Sequence, residues 1–202
     1  MIPLDKMIRE FYSVFPFAKN LMPWQITDQL PDILANVITK LDAHFNIVDG
    51  IAIHHTAVIE RNAILKAPAI IGEDCFISSD AYLRNGVFLD KSVSIGMGCE
   101  IKQSIIFSGS SMSHFNYIGN SIIGHNVNFE AGAITANHYN ERGEKRISVM
   151  FDSKLIDTGL EKFGSLIGDN SKIGANAVLS PGTILQPNTI VKRLELIDQF
   201  HK

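Results

Sequence analysis

The chain of 202 residues suits one domain, or one domain with an appendage. Hydrophobic residues make up 46% and charged residues 19%, which can fill a core and excludes a disordered tail. The 18 Lys+Arg against 21 Asp+Glu leave a formal charge of -3, which argues against a nucleic-acid coat, and no apolar run reaches the length of a membrane span. Two cysteines, Cys75 and Cys99, cannot build a disulfide framework, so a reducing compartment is expected. Asp5, Lys6, Arg9 and Glu10 interrupt the first turn and rule out a signal-peptide core, so the expectation is a cytoplasmic globular protein without a membrane or nucleic-acid partner.

Residues 1–49 carry no repeat. Segments 4–14 and 27–46 read as short helices punctuated by Pro16, Pro23 and Pro31, with Thr27 and Asp28 as capping candidates and Trp24 as core. A helical cap over the first unit of the following repeat would protect an open sheet edge.

From residue 50 a period of six takes over. Apolar residues fall at Ile53, Ile59, Leu65, Ile71, Ile77, Leu83, Leu89, Ile95, Ile101 and Phe107. The frame then slips twice by one residue, with short hexads at 113 and 118, passes Ile118 and Ile123, and resumes at Phe129 and Thr135. After a break it returns at Ile167, Ile173, Leu179, Leu185 and Val191. A period of six is neither the 3.6 of a helix nor the 2 of a plain strand. It fits short strands that each end at a corner, a β-solenoid. Cys75 and Cys99 sit in the small-residue slot and are expected to be buried structural thiols.

Three features stand out from this scaffold. Lys66, Arg84 and Lys102 lie 18 apart and should stack about 5 Å from one another on successive coils, either around a bound anion or as a solvated ladder. His114 falls within the slipped segment 113–118, in a slot taken as equivalent to that of Lys102, where an irregular rung interrupts a regular wall. The excursion 141–166 is charged at Glu141, Arg142, Glu144, Lys145 and Arg146, and reads either as a disordered loop or as a segment reaching over a site or a neighbouring subunit. Residues 193–202 are left as a C-terminal tail.

The hexads IGEDCF, IGMGCE, IGHNVN, IGDNSK and IGANAV resemble those of the hexapeptide-repeat acyltransferases, and the resemblance implies a left-handed parallel β-helix over residues 50–192. The phrases YLRNG, EIKQSIIFSGSSMSHFNYIGNSIIG and HNVNFEAGAITAN are similar, without a gap from Leu83 to Asn137, to the acetyltransferase domain of bifunctional glucosamine-1-phosphate acetyltransferase / N-acetylglucosamine-1-phosphate uridyltransferase. That resemblance implies acetyl transfer from acetyl-CoA to an amino-sugar phosphate, with no metal required. Arg84 and Lys102 then match phosphate-holding residues, Tyr117 and Asn128 sugar contacts, His114 the general base and Glu100 a carboxylate orienting it. Ala131, Asn137, His138 and Ala175 match the acyl-CoA end, and Lys145 a further lysine. The resemblance also implies a homotrimer with active sites between subunits.

Residues 1–50 hold no counterpart of that family's nucleotide-binding domain, so uridyl transfer is not expected, and a separate nucleotidyltransferase would be a partner. His138-Tyr139-Asn140 replaces a Tyr-Asp-Gly run, Glu130 replaces a glycine, and the segment DTGLEKFGSLIGDNSKIGANAVLSPGT looks more like proteins related to sugar-nucleotide pyrophosphorylases. A non-catalytic sugar-phosphate or nucleotide-sugar binding module is therefore the alternative. A zinc carbonic anhydrase on the same solenoid needs three converging histidines, and the spacing of His114, His125 and His138 does not match.

Overall fold

A computed structural model describes residues 2–199. Short parallel strands wind into a three-sided prism with seven strands on each face. In the first coils each strand bonds to the strand 18 residues away, as in Val58 to Phe76 and Phe76 to Ser94. The inward residues Ile71, Leu89, Ile95, Ile101, Met112, Ile118 and Phe129 form one fully buried column cluster. Each buried side chain of this size contributes about 1.5–3 kcal/mol.

The corners need backbone with positive φ, which asparagine, aspartate and glycine supply most readily. Asn62, Asp80, Asn126, Asn170, Asn176 and Asn188 all stand there in the left-handed region. Gly96 meets a different demand: a Cβ on it would fall on the Ser113 carbonyl of the next coil. The Gly after the aliphatic residue in a hexad is thus a place where coils touch. Cys75 and Cys99 are both buried and free, as their slots predict.

Two coils are one residue short. Glu100 pairs with Tyr82 and with Tyr117, steps of 18 and 17. The first shortening lies at the corner after Lys102, where Gln103 alone replaces Asn85-Gly86. Ile106 therefore turns inward and Phe107 outward, and the second short step runs from Ile118 to Ile123. The reading that placed the first slip at 113 is corrected by this register. So is the slot of His114: Met112 pairs with Ile95, which puts Ser113 and not His114 in the position just after the inward residue.

The helices do not cap the first coil. Leu4–Met7, Phe11–Val14, Pro23–Asp28 and Leu30–Ile38, with a 3-10 turn at Pro16–Asn20, lie along the first face of the prism. Their buried Leu4, Phe11, Phe15, Trp24 and Leu30 join the outward residues Ile70, Ile105, Ile122, Leu166 and Ile184 in one cluster. Strands of this face, such as Ala69–Ile71 and Ser165–Ile167, are buried on both sides. The open edge is covered instead by Phe45–Val48, which pairs antiparallel with Ile51–His54 through Asp49-Gly50. That two-residue turn with both φ positive is a favoured hairpin turn. Thr27 is no N-cap: it lies in the last turn of its helix, where its hydroxyl donates to the Trp24 carbonyl. Leu196–Ile197 completes the last coil, so the expected tail begins later than 193, and residues 200–202 lie outside the described residues.

Hydrogen bonds fix the flank in register with the coils. Asp169 accepts the Arg9 N–H at 2.9 Å and the His125 N–H at 2.7 Å, and its own N–H donates to the Met7 carbonyl. His125 is buried, with Nε2 donating to the Arg9 carbonyl at 3.0 Å and Nδ1 accepting the Ser108 hydroxyl at 2.6 Å. Asp169→Ala leaves two main-chain donors without their acceptor and should cost about 2 kcal/mol in a denaturant titration. Faster proteolysis within residues 2–40 than in the solenoid would accompany it, and an unchanged midpoint would contradict the docking role.

Candidate active site

The third face runs from the corner carrying His114 to the corner carrying Lys102. Arg84 and Lys102 are direct partners in the parallel ladder, and Gly119 continues their column. Lys66 precedes them, its N–H bonded to the Leu83 carbonyl. Covalent register thus forces like charges together, as the spacing of 18 predicts. Their side chains part company. Arg84 turns to Glu100, with Nε at 2.7 Å and Nη2 at 2.6 Å from the same carboxylate oxygen, and its guanidinium lies 5.8 Å from the Tyr82 ring centre. Glu100 is therefore held by Arg84, in place of the expected contact with an imidazole.

Lys102 is 7% exposed, and its ammonium donates to Asn120 Oδ1 at 3.0 Å. The same oxygen accepts Asn137 Nδ2 at 2.6 Å. Tyr117 shares a side-chain hydrogen bond with Asn137, and both stand over Gly119, where a Cβ would lie 2.7 Å from the Tyr117 hydroxyl oxygen. Gly119 is the clearing that lets them meet. Burial, then the Glu100 charge, raise the Tyr117 phenol above its ordinary value and keep it protonated.

Behind this corner runs a buried chain of hydroxyls. Ser104 Oγ donates to the Lys102 carbonyl and accepts the Ser121 N–H, while the Ser121 hydroxyl sits 3.1 Å from that of Thr135. Thr135 in turn accepts the Gly119 N–H. These bonds fix the bend from which Asn120 projects.

The excursion after Ala136 is ordered. It holds an antiparallel hairpin, Ser148–Phe151 with Lys154–Asp157, and packs Ile147, Val149 and Phe163 into the cluster along the first face. Phe163 lies against Trp24, with ring centres 5.9 Å apart. On its return the Phe163 N–H donates to the Asn137 carbonyl and the Gly164 N–H to the Asn120 carbonyl, each at 3.0 Å. This brings Lys162 close enough to Lys102 for their charges to interact, while Lys145 lies half-buried in the outgoing part of the excursion. Burial first, then Lys162 and Arg84, depress the Lys102 pKa from its ordinary value, against the opposing Glu100. Sequence reasoning missed Lys162 because the insertion conceals its alignment; its place just before the returning hexad was the available signal.

His114 lies exposed at the other corner, between the second and third faces. There Gly132 donates to the His114 carbonyl, Asn176 to that of Ala131, and Leu194 to that of Ala175. His114, Ala131, Ala175 and Arg193 thus form one vertical column, which brings the expected base and two expected donor-end residues together. Asn137 and the partly buried His138 belong to the opposite corner. Asn128 is exposed on the second face, paired with Ser111 and Lys172, and so is separated from Tyr117. His125 serves the docked flank, as described above.

The repeat itself matches a known family model, the hexapeptide repeat of succinyl-transferase, over residues 68–102 and 166–192. Over those two stretches the chain carries the hexapeptide repeat of that transferase family. The chain is also 40% identical over 74 residues to a bifunctional sugar-1-phosphate nucleotidylyltransferase/acetyltransferase of Sulfurisphaera tokodaii, covering 37% of this chain and 18% of that protein. It is 45% identical over 154 residues to the bifunctional protein GlmU of Methanococcus maripaludis, covering 74% of this chain and 37% of the relative. The chain thus spans well under half the length of these curated relatives. Among solved structures, a hexapeptide transferase family protein from Anaplasma phagocytophilum overlaps 73% of this chain and 74% of its own at 22% identity, with a TM-score of 0.38. No helix among the described residues is long and apolar enough to cross a membrane.

Lys102 makes a sharp test of the cluster. Its folded pKa lies below that of the unfolded chain, so the unfolded state binds more protons between the two values and stability rises with pH there. Removing the charge should therefore stabilise. Lys102→Met is expected to raise Tm at neutral pH in a scanning calorimeter while abolishing phosphate binding. In the unaltered protein, phosphate affinity should fall at a pH below that at which a free lysine titrates. A lowered Tm with intact binding would remove Lys102 from the anion site.

Proposed function

We propose that this chain transfers an acetyl group from acetyl-CoA to the amine of an amino-sugar phosphate resembling glucosamine 1-phosphate. The observation that carries the reading is the cationic corner, where Arg84 and Lys102 are ladder partners and Lys162 joins them. Glu100 offsets one of these charges, which leaves the corner net positive and suited to a phosphate dianion. The likeness to a bifunctional sugar-1-phosphate nucleotidylyltransferase/acetyltransferase points the same way.

In this reading the phosphate binds at Arg84, Lys102 and Lys162, and the sugar extends along Tyr117 toward His114. That remote binding energy orients the acceptor amine. His114 Nε2 or Nδ1 takes a proton from the amine as its lone pair attacks the thioester carbonyl carbon. The C–N bond forms and negative charge moves to the carbonyl oxygen; Asn137, at the Lys102 corner, is left to line the phosphate end. The C–S bond then breaks and the thiolate takes the proton from the imidazolium, releasing the thiol and the amide. A base of this kind contributes about 10²–10⁴-fold.

The reading also takes a homotrimer as the working assembly. The chain's own helices cover the first face, so a neighbour would lie against the second and third. A cleft along the His114 corner would receive Asn128 from one of these faces and Tyr117 from the other. A cytoplasmic setting and a partner nucleotidyltransferase belong to the same reading.

Thiol release measured across a panel of amino-sugar phosphates tests it directly. His114→Ala should abolish turnover without changing the oligomeric mass, and an unaffected rate would exclude the histidine as base. Arg84→Ala should raise KM for the phosphorylated sugar alone. Equal KM values for phosphorylated and unphosphorylated sugars in the unaltered protein would count against the anion site.

A further inference from the structure

The cation ladder continues one rung beyond the residues that the acetyl-transfer reading uses. Lys66 donates its N–H to the Leu83 carbonyl, and it follows the inward Leu65 as Arg84 follows Leu83 and Lys102 follows Ile101. Its side chain therefore leaves the prism in the same column, one rung of about 4.8 Å from Arg84. Lys66 is exposed, and among the described residues no hydrogen bond or ion pair engages its ammonium. The neighbouring outward column changes character at the same height. Glu100 pairs with Tyr82, and Tyr82 with Ile64. Ile64 is 50% exposed, and Tyr82 is half-buried with the Arg84 guanidinium beside its ring. On its first two coils the third face thus sets an unpaired cation next to an open aromatic and aliphatic strip.

In the acetyl-transfer reading the sugar runs from the cations toward Tyr117 and His114, on later rungs. Whatever is esterified to the far side of the phosphate then points the other way, toward Lys66, Tyr82 and Ile64. We infer that the acceptor is a nucleoside diphosphate-linked amino sugar, with its sugar-side phosphate at Arg84, Lys102 and Lys162, its outer phosphate at Lys66 and its nucleoside against Tyr82 and Ile64. The inference rests on the acetyl-transfer reading and narrows its acceptor to one class. Glu100 offsets Arg84, and Lys102 with Lys162 supplies the two charges that a sugar monophosphate dianion needs, which leaves Lys66 without a role. A diphosphate diester also carries two negative charges, but spreads them over two phosphorus atoms, as the cations are spread over three rungs. Lysine presents a point charge on a flexible stem and can follow an outer phosphate that is less tightly fixed than the inner one. A nucleobase is flat and aromatic, so it stacks on a tyrosine ring and covers an aliphatic neighbour. A monophosphate has nothing to lay over Ile64. Nucleotidyl transfer to the amino sugar must then precede acetylation.

Thiol release by the full chain tests this with glucosamine 1-phosphate and with uridine and guanosine diphosphate-glucosamine as acceptors. For at least one of the diphosphate esters, kcat/KM should exceed that for the monophosphate about tenfold, the worth of one charge-assisted contact. Lys66→Ala and Lys66→Gln should each abolish that advantage. An equal loss on both kinds of acceptor would reduce Lys66 to a general positive field and overturn the second phosphate. Nucleoside diphosphate should inhibit more strongly than inorganic pyrophosphate, and Tyr82→Ala should erase the difference. Equal inhibition in the unaltered protein would overturn the nucleoside contact. Turnover of glucosamine 1-phosphate with none of either ester overturns the inference and leaves acetyl transfer standing. Thiol release from no acceptor overturns acetyl transfer itself. Calorimetric titration with uridine and guanosine diphosphate then still reads the column, and binding indifferent to Lys66→Ala overturns the inference as well.

Discussion

Arg84 and Lys102 cannot move apart. Their strands share a continuous parallel ladder, and separating the two charges would break backbone hydrogen bonds on both sides. A helix or loop could relieve such repulsion by a small rotation, but a solenoid rung has no such freedom. The fold therefore holds positive charge at one corner and satisfies it only in part. Glu100 binds Arg84, while the Lys102 ammonium donates to the neutral oxygen of Asn120. The unmet charge is the physical reason to expect an anion there; burial first, and the neighbouring Lys162 and Arg84 next, depress the Lys102 pKa. Stability given up at such a place is common where a ligand completes the site.

The prism was legible because its cause is local. Each hexad carries its own inward aliphatic, its own corner residue and often its own contact glycine, so a period of six follows from a few adjacent positions. The stacking of 84 on 102 follows from that period alone. The location of the slips was not legible in the same way. Ile105, Ile106 and Phe107 are all apolar, and only register decides which faces inward; the coil chooses Ile106 because a single residue, Gln103, turns the preceding corner. The slot of His114 was misjudged for that reason.

Long-range docking was the least visible. Ile70, Phe88, Ile122, Leu166 and Ile184 point outward from the first face, and a solvated wall would not place apolar residues there. Their recurrence was the available signal that something covers this face, as sheets buried on both sides read as continuous apolar runs. The helices were expected at the end of the prism because an open edge needs protection. The hairpin turn Asp49-Gly50 answers that need, which releases the helices to lie along the side. Within the site, Arg84, Lys102, Tyr117 and Asn137 could be assembled from the repeat and the family resemblance. Lys162 and the partner of Glu100 required coordinates, because one follows an insertion and the other is a choice among rotamers.

The insertion departs from and rejoins the coil at nearly one point. The Phe163 amide closes on the Asn137 carbonyl, and the ladder then continues with Ile134 paired to Val178 as though nothing intervened. The hairpin at 148–157 is consequently decoupled from the pitch of the prism. Its tip can be lengthened, trimmed or exchanged without shifting any rung. For anyone adapting this scaffold, that turret offers a point of variation that leaves the coils in place.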